Sequence, residues 1–482
     1  MQSNWESQFA AGATRLFSVR VLSACLLPPA APFDGVVPAK GVSLWRLTLV
    51  KRSLASFQLL RMLVFLAATA GGPLPGAAPV EFSEALLADG LNYPYGIGVG
   101  DLNGDGRLDL TLADARKDNA LYWFENEGNG RYSRHLIHHR PPPAWRMERH
   151  ALADINRDGL TDIVVVENST GDLTWLENPG SGRVRDPWKS HLICLSSRVP
   201  GAYNVAVGDI DGDGWQDVAA SSWRMGNMFS RHLNPGRNMA PGEDFMQAAA
   251  SANNWAEWKQ ANVAENLLET RMVKLADMDS DGDLDIVGTA SRSGLILWLE
   301  NPGESGAGSR TANPGLSPSW VQHVVDRTAR PGHGQVVDMN GDGKPDILVA
   351  SGLVADLAPS EFMPVVPRVA WYENLGRGKR WRRHVIAEPF PQGFEAMAAD
   401  LDQDGDLDVA ATAWQTDPGV ALAWFENLGD GKWITHVLKR DWQHAVQVII
   451  ADLDDDGCRD IIACAEGNAR ELRWWRNLGG GR

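Results

Sequence analysis

Cysteine is scarce in this chain of 482 residues, with four copies at Cys25, Cys194, Cys458 and Cys464 and no CxxC pair. That excludes a disulfide framework as the source of stability. Sustained helical periodicity is missing after about residue 79, which excludes a helix bundle. The longest apolar run, residues 59–70, is broken by Arg61 and is too short to span a bilayer, so no stable membrane span is expected. Neither a nucleophile elbow nor a zinc-ligand motif occurs, and no second domain is evident to cap a site. A basic excess is lacking too. The formal charge of −16 opposes nucleic acid and anionic membranes.

The acid is concentrated rather than spread. A loop of the form Asp-x-[Asp/Asn]-x-Asp-Gly-x-x-Asp occurs seven times and holds 28 of the 61 acidic residues. The carboxylate and amide positions are Asp101, Asn103, Asp105 and Asp109 in the first loop, and Asp154, Asn156, Asp158 and Asp162 in the second. The third carries Asp209, Asp211, Asp213 and Asp217, and the fourth Asp277, Asp279, Asp281 and Asp285. Asp338, Asn340, Asp342 and Asp346 follow, then Asp400, Asp402, Asp404 and Asp408, and last Asp452, Asp454, Asp456 and Asp460. Oxygen donors at positions 1, 3, 5 and 9, with a glycine at 6 for the tight turn, would wrap a hard cation, and Ca²⁺ fits best. An EF-hand would need Glu at position 12 and flanking helices. Position 12 is instead Leu112, Val165, Ala220, Gly288, Val349, Ala411 or Ala463, and the flanks are β-prone. Up to seven structural Ca²⁺ sites are therefore expected, weaker at the three loops with Asn at position 3. Seven ions would bring the net charge to about −2. At about 1.4 kcal/mol per site in about 1 mM Ca²⁺, they would together contribute on the order of 10 kcal/mol. Such sites stand filled outside a cell and nearly empty in a cytosol, so a secreted, periplasmic or cell-surface location is expected.

Each loop opens one repeat. In the sixth, residues 394–400, 408–412, 420–427 and 433–438 form four short β-prone segments divided by turn signals. The third segment reads Trp-x-Glu-Asn at Trp123, Trp175, Trp298 and Trp371. The fourth reads Trp-x-x-His at Trp188, Trp320 and Trp381. Seven four-stranded antiparallel units predict an all-β, seven-bladed β-propeller over residues 79–482. The seventh unit lacks a fourth strand and residues 79–87 supply a spare one, so the N-terminal strand is expected to complete the last blade. In the third unit the tetrapeptide becomes Arg231-His232-Leu233-Asn234. Insertions fall at residues 237–254, 304–319 and 353–367. Residues 1–78, with Lys51-Arg52 before the apolar run and small-residue cleavage options after it, look like an export signal with an unstructured extension.

These hairpins, with the Trp-[Phe/Leu/Tyr]-Glu-Asn and Trp-x-x-His-[Leu/Val]-Ile strands, resemble bacterial FG-GAP/VCBS repeat proteins. The acidic loops are also similar to those in the propeller of integrin α subunits. The resemblance covers residues 79–482. It implies a Ca²⁺-binding propeller, secreted or on a surface, used in adhesion or in binding carbohydrate or protein. Some sugar lyases and dehydratases are built on similar propellers, so the resemblance leaves an enzymatic alternative open.

In a propeller the first strand of each blade lines the central channel, and the acidic loop ends that strand at one face. Five positions ahead of each loop stand Gly96, Arg149, Asn204, Met272, His333, Glu395 and Gln447, mostly polar and different in every blade. Two ahead stand Val99, Leu152, Val207, Leu275, Val336, Ala398 and Ile450, an apolar set expected to pack between blades. The ligand site is accordingly expected at the mouth opposite the loops, from Arg149, Asn204, Arg271, His333, Glu395, Gln447, Trp442 and His444. Tyr95, Trp145, Glu148 and Tyr203 would thicken it. Aromatic faces among Arg, Glu, His, Asn and Gln suit a sugar, and the arginines a carboxylate. Were the protein an enzyme, His333, Glu395 and His444, from three consecutive blades, would be the catalytic candidates.

Overall fold

The computed structural model describes residues 80–480 apart from 116–118, 140–145, 170, 196–197, 239–257, 304–318, 354–364 and 416–417. The export-type segment, most of the three insertions and Trp145 therefore lie outside the described residues. Twenty-eight strands make seven four-stranded antiparallel sheets, and the one helical element among the described residues is a 3-10 turn, Pro235–Asn238. Blade 1 comprises Pro94–Gly100, Asp109–Asp114, Ala120–Gly128 and Arg131–His139. Blades 2 to 6 repeat that order in sequence. Blade 7 comprises Ala445–Ala451, Asp460–Ala465 and Glu471–Asn477, and its fourth strand is Phe82–Ala88, paired from Phe82↔Asn477 to Ala88↔Leu472. The first strands of successive blades touch one another, and Pro94–Gly100 touches Ala445–Ala451, so the ring is closed.

The burial pattern follows position in the blade. Second strands are buried along their whole length, as at Asp162–Glu167 and Asp408–Ala413, because neighbouring blades cover both faces. Their residues are accordingly Val, Ile, Leu, Ala and small polar types. The apolar set two positions ahead of the loops packs into seven hydrophobic clusters, one residue in each. Third and fourth strands are tied by a recurring trio. Trp175 lies opposite His191 in register, their rings stack at 4.3 Å, and His191 Nε2 sits 2.7 Å from Glu177 Oε2. The same trio recurs around Trp123, Trp298, Trp371 and Trp424 with ring separations between 4.1 and 4.8 Å. These histidines brace the outer half of those five blades.

The asparagine that ends the Trp-x-Glu-Asn strand joins blade to blade. In blade 4, Asn301 N–H donates to Asp285 Oδ1 at 2.7 Å, and its Oδ1 accepts from Gly303 N at 3.2 Å. Its Nδ2 donates to Leu284 O at 3.0 Å and to Ile210 O, in the acidic loop of blade 3, at 2.8 Å. Asn126, Asn178, Asn234, Asn374 and Asn477 likewise donate to the second residue of the preceding blade's loop, at 2.7 to 3.0 Å. Blade 3 loses Trp and Glu from the tetrapeptide yet keeps Asn234, because the clasp needs an amide donor and acceptor on one short side chain. Asn427 of blade 6 differs: it is half-buried and its Nδ2 reaches Leu407 O of its own blade at 3.2 Å.

Candidate functional site

Strand alternation would send one residue of each adjacent pair to the channel, but every first strand is bulged near its start. In blade 3 Ala202 pairs with Ser222 and Asn204 with Ser221, leaving Tyr203 as the extra residue. Comparable register shifts occur in the other six blades. A bulge sets two residues against one and re-aims a side chain. Here it turns residues six positions ahead of the loop into the mouth: Tyr95, Glu148, Tyr203, Arg271 and Phe394.

They line a cavity of about 550 Å³, completed by Tyr93, Arg146, Trp223, Arg224, Leu353, Trp414, His444, Glu466 and Gly467, so all seven blades contribute. Trp414 stacks on His444 at 4.0 Å and its Nε1 donates to Glu466 Oε1. Gly467, at φ +67°, leaves room for that imidazole, since a Cβ there would stand 2.0 Å from His444 Nδ1. Burial pushes the Glu148 carboxyl up to about 7, opposed mainly by Arg146, whose Nη1 is 3.6 Å away.

Beneath the cavity the channel is plugged. Tyr95 Oη and Tyr203 Oη are 2.6 Å apart, Tyr203 Oη is 3.1 Å from His333 Nε2, and the His333 ring stacks on Phe394 at 5.3 Å. Arg149 donates twice to Glu395, at 3.1 and 2.9 Å, across the ring from blade 2 to blade 6. The guanidinium also lies over the Tyr95 and Phe394 rings at 5.8 and 6.0 Å. Burial, with Arg149, Arg271 and Lys274 behind it, holds the His333 imidazole well below its usual range.

Of the eight ligand candidates, Arg271 and His444 line the cavity. The other six are engaged elsewhere. Arg149 and Glu395 hold each other, and His333 is in the plug. Gln447 Oε1 accepts from Ile97 N of blade 1 at 2.7 Å, and Asn204 Oδ1 accepts from Val205 N at 2.8 Å. Trp442 packs on Trp475 at 5.5 Å and donates to Glu471 at 2.9 Å. His333, Glu395 and His444 do not converge on the cavity, since only His444 lines it. The bulge is the reason: it trades the expected position for the one before it. Trp223, Arg224, Trp414 and Glu466 follow the second strands, in connections the repeat does not mark; in the sequence only the similar Ser-Ser-Trp and Thr-Ala-Trp at 221–223 and 412–414 point to the two tryptophans.

On the opposite face the acidic loops are built alike. Gly106, Gly159, Gly214, Gly282, Gly343, Gly405 and Gly457 all have positive φ and donate N–H to the first Asp of their loops at 2.7 to 3.1 Å. The ninth-position Asp accepts a backbone N–H on each oxygen, as Asp285 does from Met278 at 2.9 Å and Asn301 at 2.7 Å. Burial pushes the Asp285 carboxyl up to about 8, which a neighbouring divalent cation would reverse. Four loops bring three carboxylates together with oxygens within 4.8 Å: Asp209, Asp211 and Asp213; Asp277, Asp279 and Asp285; Asp400, Asp402 and Asp404; Asp452, Asp454 and Asp460. Asp209 Oδ1, Asp213 Oδ2, Asp279 Oδ1, Asp400 Oδ1 and Asp454 Oδ1 are buried without a hydrogen-bond donor. Oxygens so placed fit a metal ion. The Asn-bearing loops are partly self-satisfied. Asn103 donates to Asp105 at 3.0 Å, Asn156 to Asp158 at 3.1 Å and Lys344 to Asp342 at 2.6 Å.

The FG-GAP-like repeat family model matches five times, over residues 101–165, 154–220, 277–349, 338–411 and 400–463. Integrin alpha-PS3 of Drosophila melanogaster is 29% identical over 150 residues, which is 27% of this chain and 13% of that protein. Two solved structures of BBS1N in complex with ARL6DN, soaked with lead or with mercury, align at TM-scores of 0.49 and 0.48 with 11% identity. Each alignment covers 84% of this chain, and 98% or 99% of the solved one. With these five matches spanning more than half of its length, the chain belongs to the FG-GAP-like repeat family.

Proposed function

We propose that the protein is a secreted, calcium-stabilised binding propeller whose ligand is a carbohydrate seated in the cup at the channel mouth. The observation that carries this reading is the cavity itself: about 550 Å³, aromatic and polar, built by all seven blades and floored by a packed plug. Its size falls in the range of clefts that hold small ligands, about 300–1,000 Å³. Trp223, Trp414 and Tyr93 offer flat faces, while Arg, Glu and His offer directional polar groups for hydroxyls.

Ca²⁺ is the cation best suited to the loops, since every donor is oxygen. The unpartnered oxygens favour tight sites in the third, fourth and sixth loops and weaker ones in the first, second and fifth. Arg476 already pairs with Asp454 and Asp456, which places the seventh loop between the two groups. Sites of this kind imply millimolar Ca²⁺ and an extracellular setting. No helix among the described residues is long and apolar enough to cross a membrane. The integrin α relative makes an extracellular protein the competing ligand class. The lyase or dehydratase reading is weaker, because Glu395 is clamped by Arg149 and His333 serves the plug.

The test is incubation of the protein in Ca²⁺ with neutral and acidic oligosaccharides, followed by mass spectrometry of what is retained and released. Retention and return unchanged supports the binding reading. A product shorter, or lighter by one water, replaces it with catalysis, and no retention of any sugar replaces it with a protein ligand.

A further inference from the structure

Three arginines near the mouth are almost wholly buried, and they are not treated alike. Arg149 is held bidentately by Glu395. Arg330 is held by Glu269 at 3.2 Å. Arg271, 4% exposed and lining the cavity, has no ion-pair partner among the described residues. Its one hydrogen bond is from Nη1 to the Tyr203 phenol at 3.4 Å, and its Nε is buried without an acceptor. Tyr203 and Trp223 flank the guanidinium at 5.7 and 5.5 Å, and beyond the long bond to Tyr203 no acceptor among the described residues takes its donors.

Glu269 and Glu148 offset part of its charge from a distance, without an ion pair, and a buried guanidinium short of a hydrogen-bonded acceptor is costly, so such a group is retained where something else completes it. A carboxylate matches the free fork of donors, in the manner Glu395 already matches Arg149. Arg224 stands on the same cavity wall, over the Trp223 ring at 4.0 Å, and shares Glu269 with Arg330, its Nε lying 3.7 Å from that carboxylate, so two arginines face one acid there. Across the cup, Trp414 with His444 presents a second aromatic face. An anion anchored on one wall with a flat, hydroxylated body against aromatic faces is the chemistry of an acidic sugar.

We propose that the mouth is selective for a carboxylate-bearing saccharide, a uronate, whose carboxylate pairs with Arg271 while its ring packs against Trp223. This rests on the carbohydrate reading above and adds the anion. The experiment is calorimetric titration of the full chain in Ca²⁺ with trigalacturonate and with its carboxyl-reduced counterpart, a neutral trisaccharide of the same shape. The wild-type protein binds the acid at least tenfold more tightly than the neutral sugar. Arg271→Gln loses that preference, whereas Arg271→Lys keeps part of it, and both retain the wild-type thermal midpoint within a few degrees. If R271Q fails to fold, Trp223→Ala serves instead and weakens both sugars without equalising them. Equal binding of acid and neutral sugar by the wild type overturns the anion site and leaves the carbohydrate reading standing. Binding of neither overturns both. Arg271-dependent binding of a peptide through its C-terminal carboxylate, with no sugar bound, moves the anion site to a protein partner and overturns the uronate.

Discussion

Asn301→Ala is expected to separate the work of the inter-blade clasp from that of the blade itself. The substitution keeps the backbone N–H to Asp285 and removes three bonds, those to Leu284 O, Ile210 O and from Gly303 N. At about 1 kcal/mol each, plus about 1–2 kcal/mol for stranding a buried carbonyl, the loss is about 4–5 kcal/mol. Asn427→Ala is the internal control. It removes the bond to Leu407 O at 3.2 Å and one from Gly429 N at 3.1 Å, with no cross-blade carbonyl left behind, for about 1–2 kcal/mol. Urea titrations at saturating Ca²⁺, followed by tryptophan fluorescence, compare the two midpoints at constant slope. Equal losses, or a larger one for N427A, would refute the claim that the asparagine stabilises chiefly by joining neighbours.

Other outcomes can be checked with less effort. His232 is fully buried where other blades carry Phe, Leu, Tyr or Trp, and burial, aided by Arg198, lowers it to about 3. Between that value and about 6.5 only the unfolded chain takes up its proton, so stability falls as pH falls through this window, by about 2 kcal/mol at pH 5. His232→Leu should remove that increment, read as a smaller difference between thermal midpoints at pH 8 and pH 5. Asn156→Asp should tighten Ca²⁺ at the second loop by roughly tenfold in calorimetry, because it replaces a self-satisfied amide by a carboxylate. Asp279→Asn should do the reverse and remove one tight site. A chain lacking residues 80–88 should melt at lower temperature and recover on addition of a peptide of that sequence; no recovery would argue against Phe82–Ala88 acting as a separable strand.

Blade number, strand order and the completing strand were all legible, because the acidic loop marks each first-to-second turn and Trp faces His across the third and fourth strands. The apolar set from Val99 to Ile450 packs where alternation sent it. Alternation failed one residue earlier, at Tyr95, Glu148, Tyr203, Arg271 and Phe394. A bulge adds a residue without changing composition, so no pattern of apolar and polar letters announces it. The Arg149–Glu395 pair was hidden for a different reason: it joins residues 246 apart, and nothing in either repeat names its partner. Asn234 carried a usable hint, since it survives where the rest of its motif is lost.

The strand Phe82–Ala88 also sets a timetable. It leaves the ribosome first among the strands, and its partner, Glu471–Asn477, leaves last. At about 5–20 residues per second, roughly 20–80 seconds pass between the two. Bringing them together closes a loop of about 380 residues, at an entropic cost of about 5 kcal/mol that the earlier blades progressively lower as they fold between the ends. Throughout that interval the nascent ring has an open seam, with Leu86 and its neighbours free to pair with the wrong edge. The finished protein would then resist opening for the same reason it was slow to close, because release must begin at the one blade built from both ends of the ring.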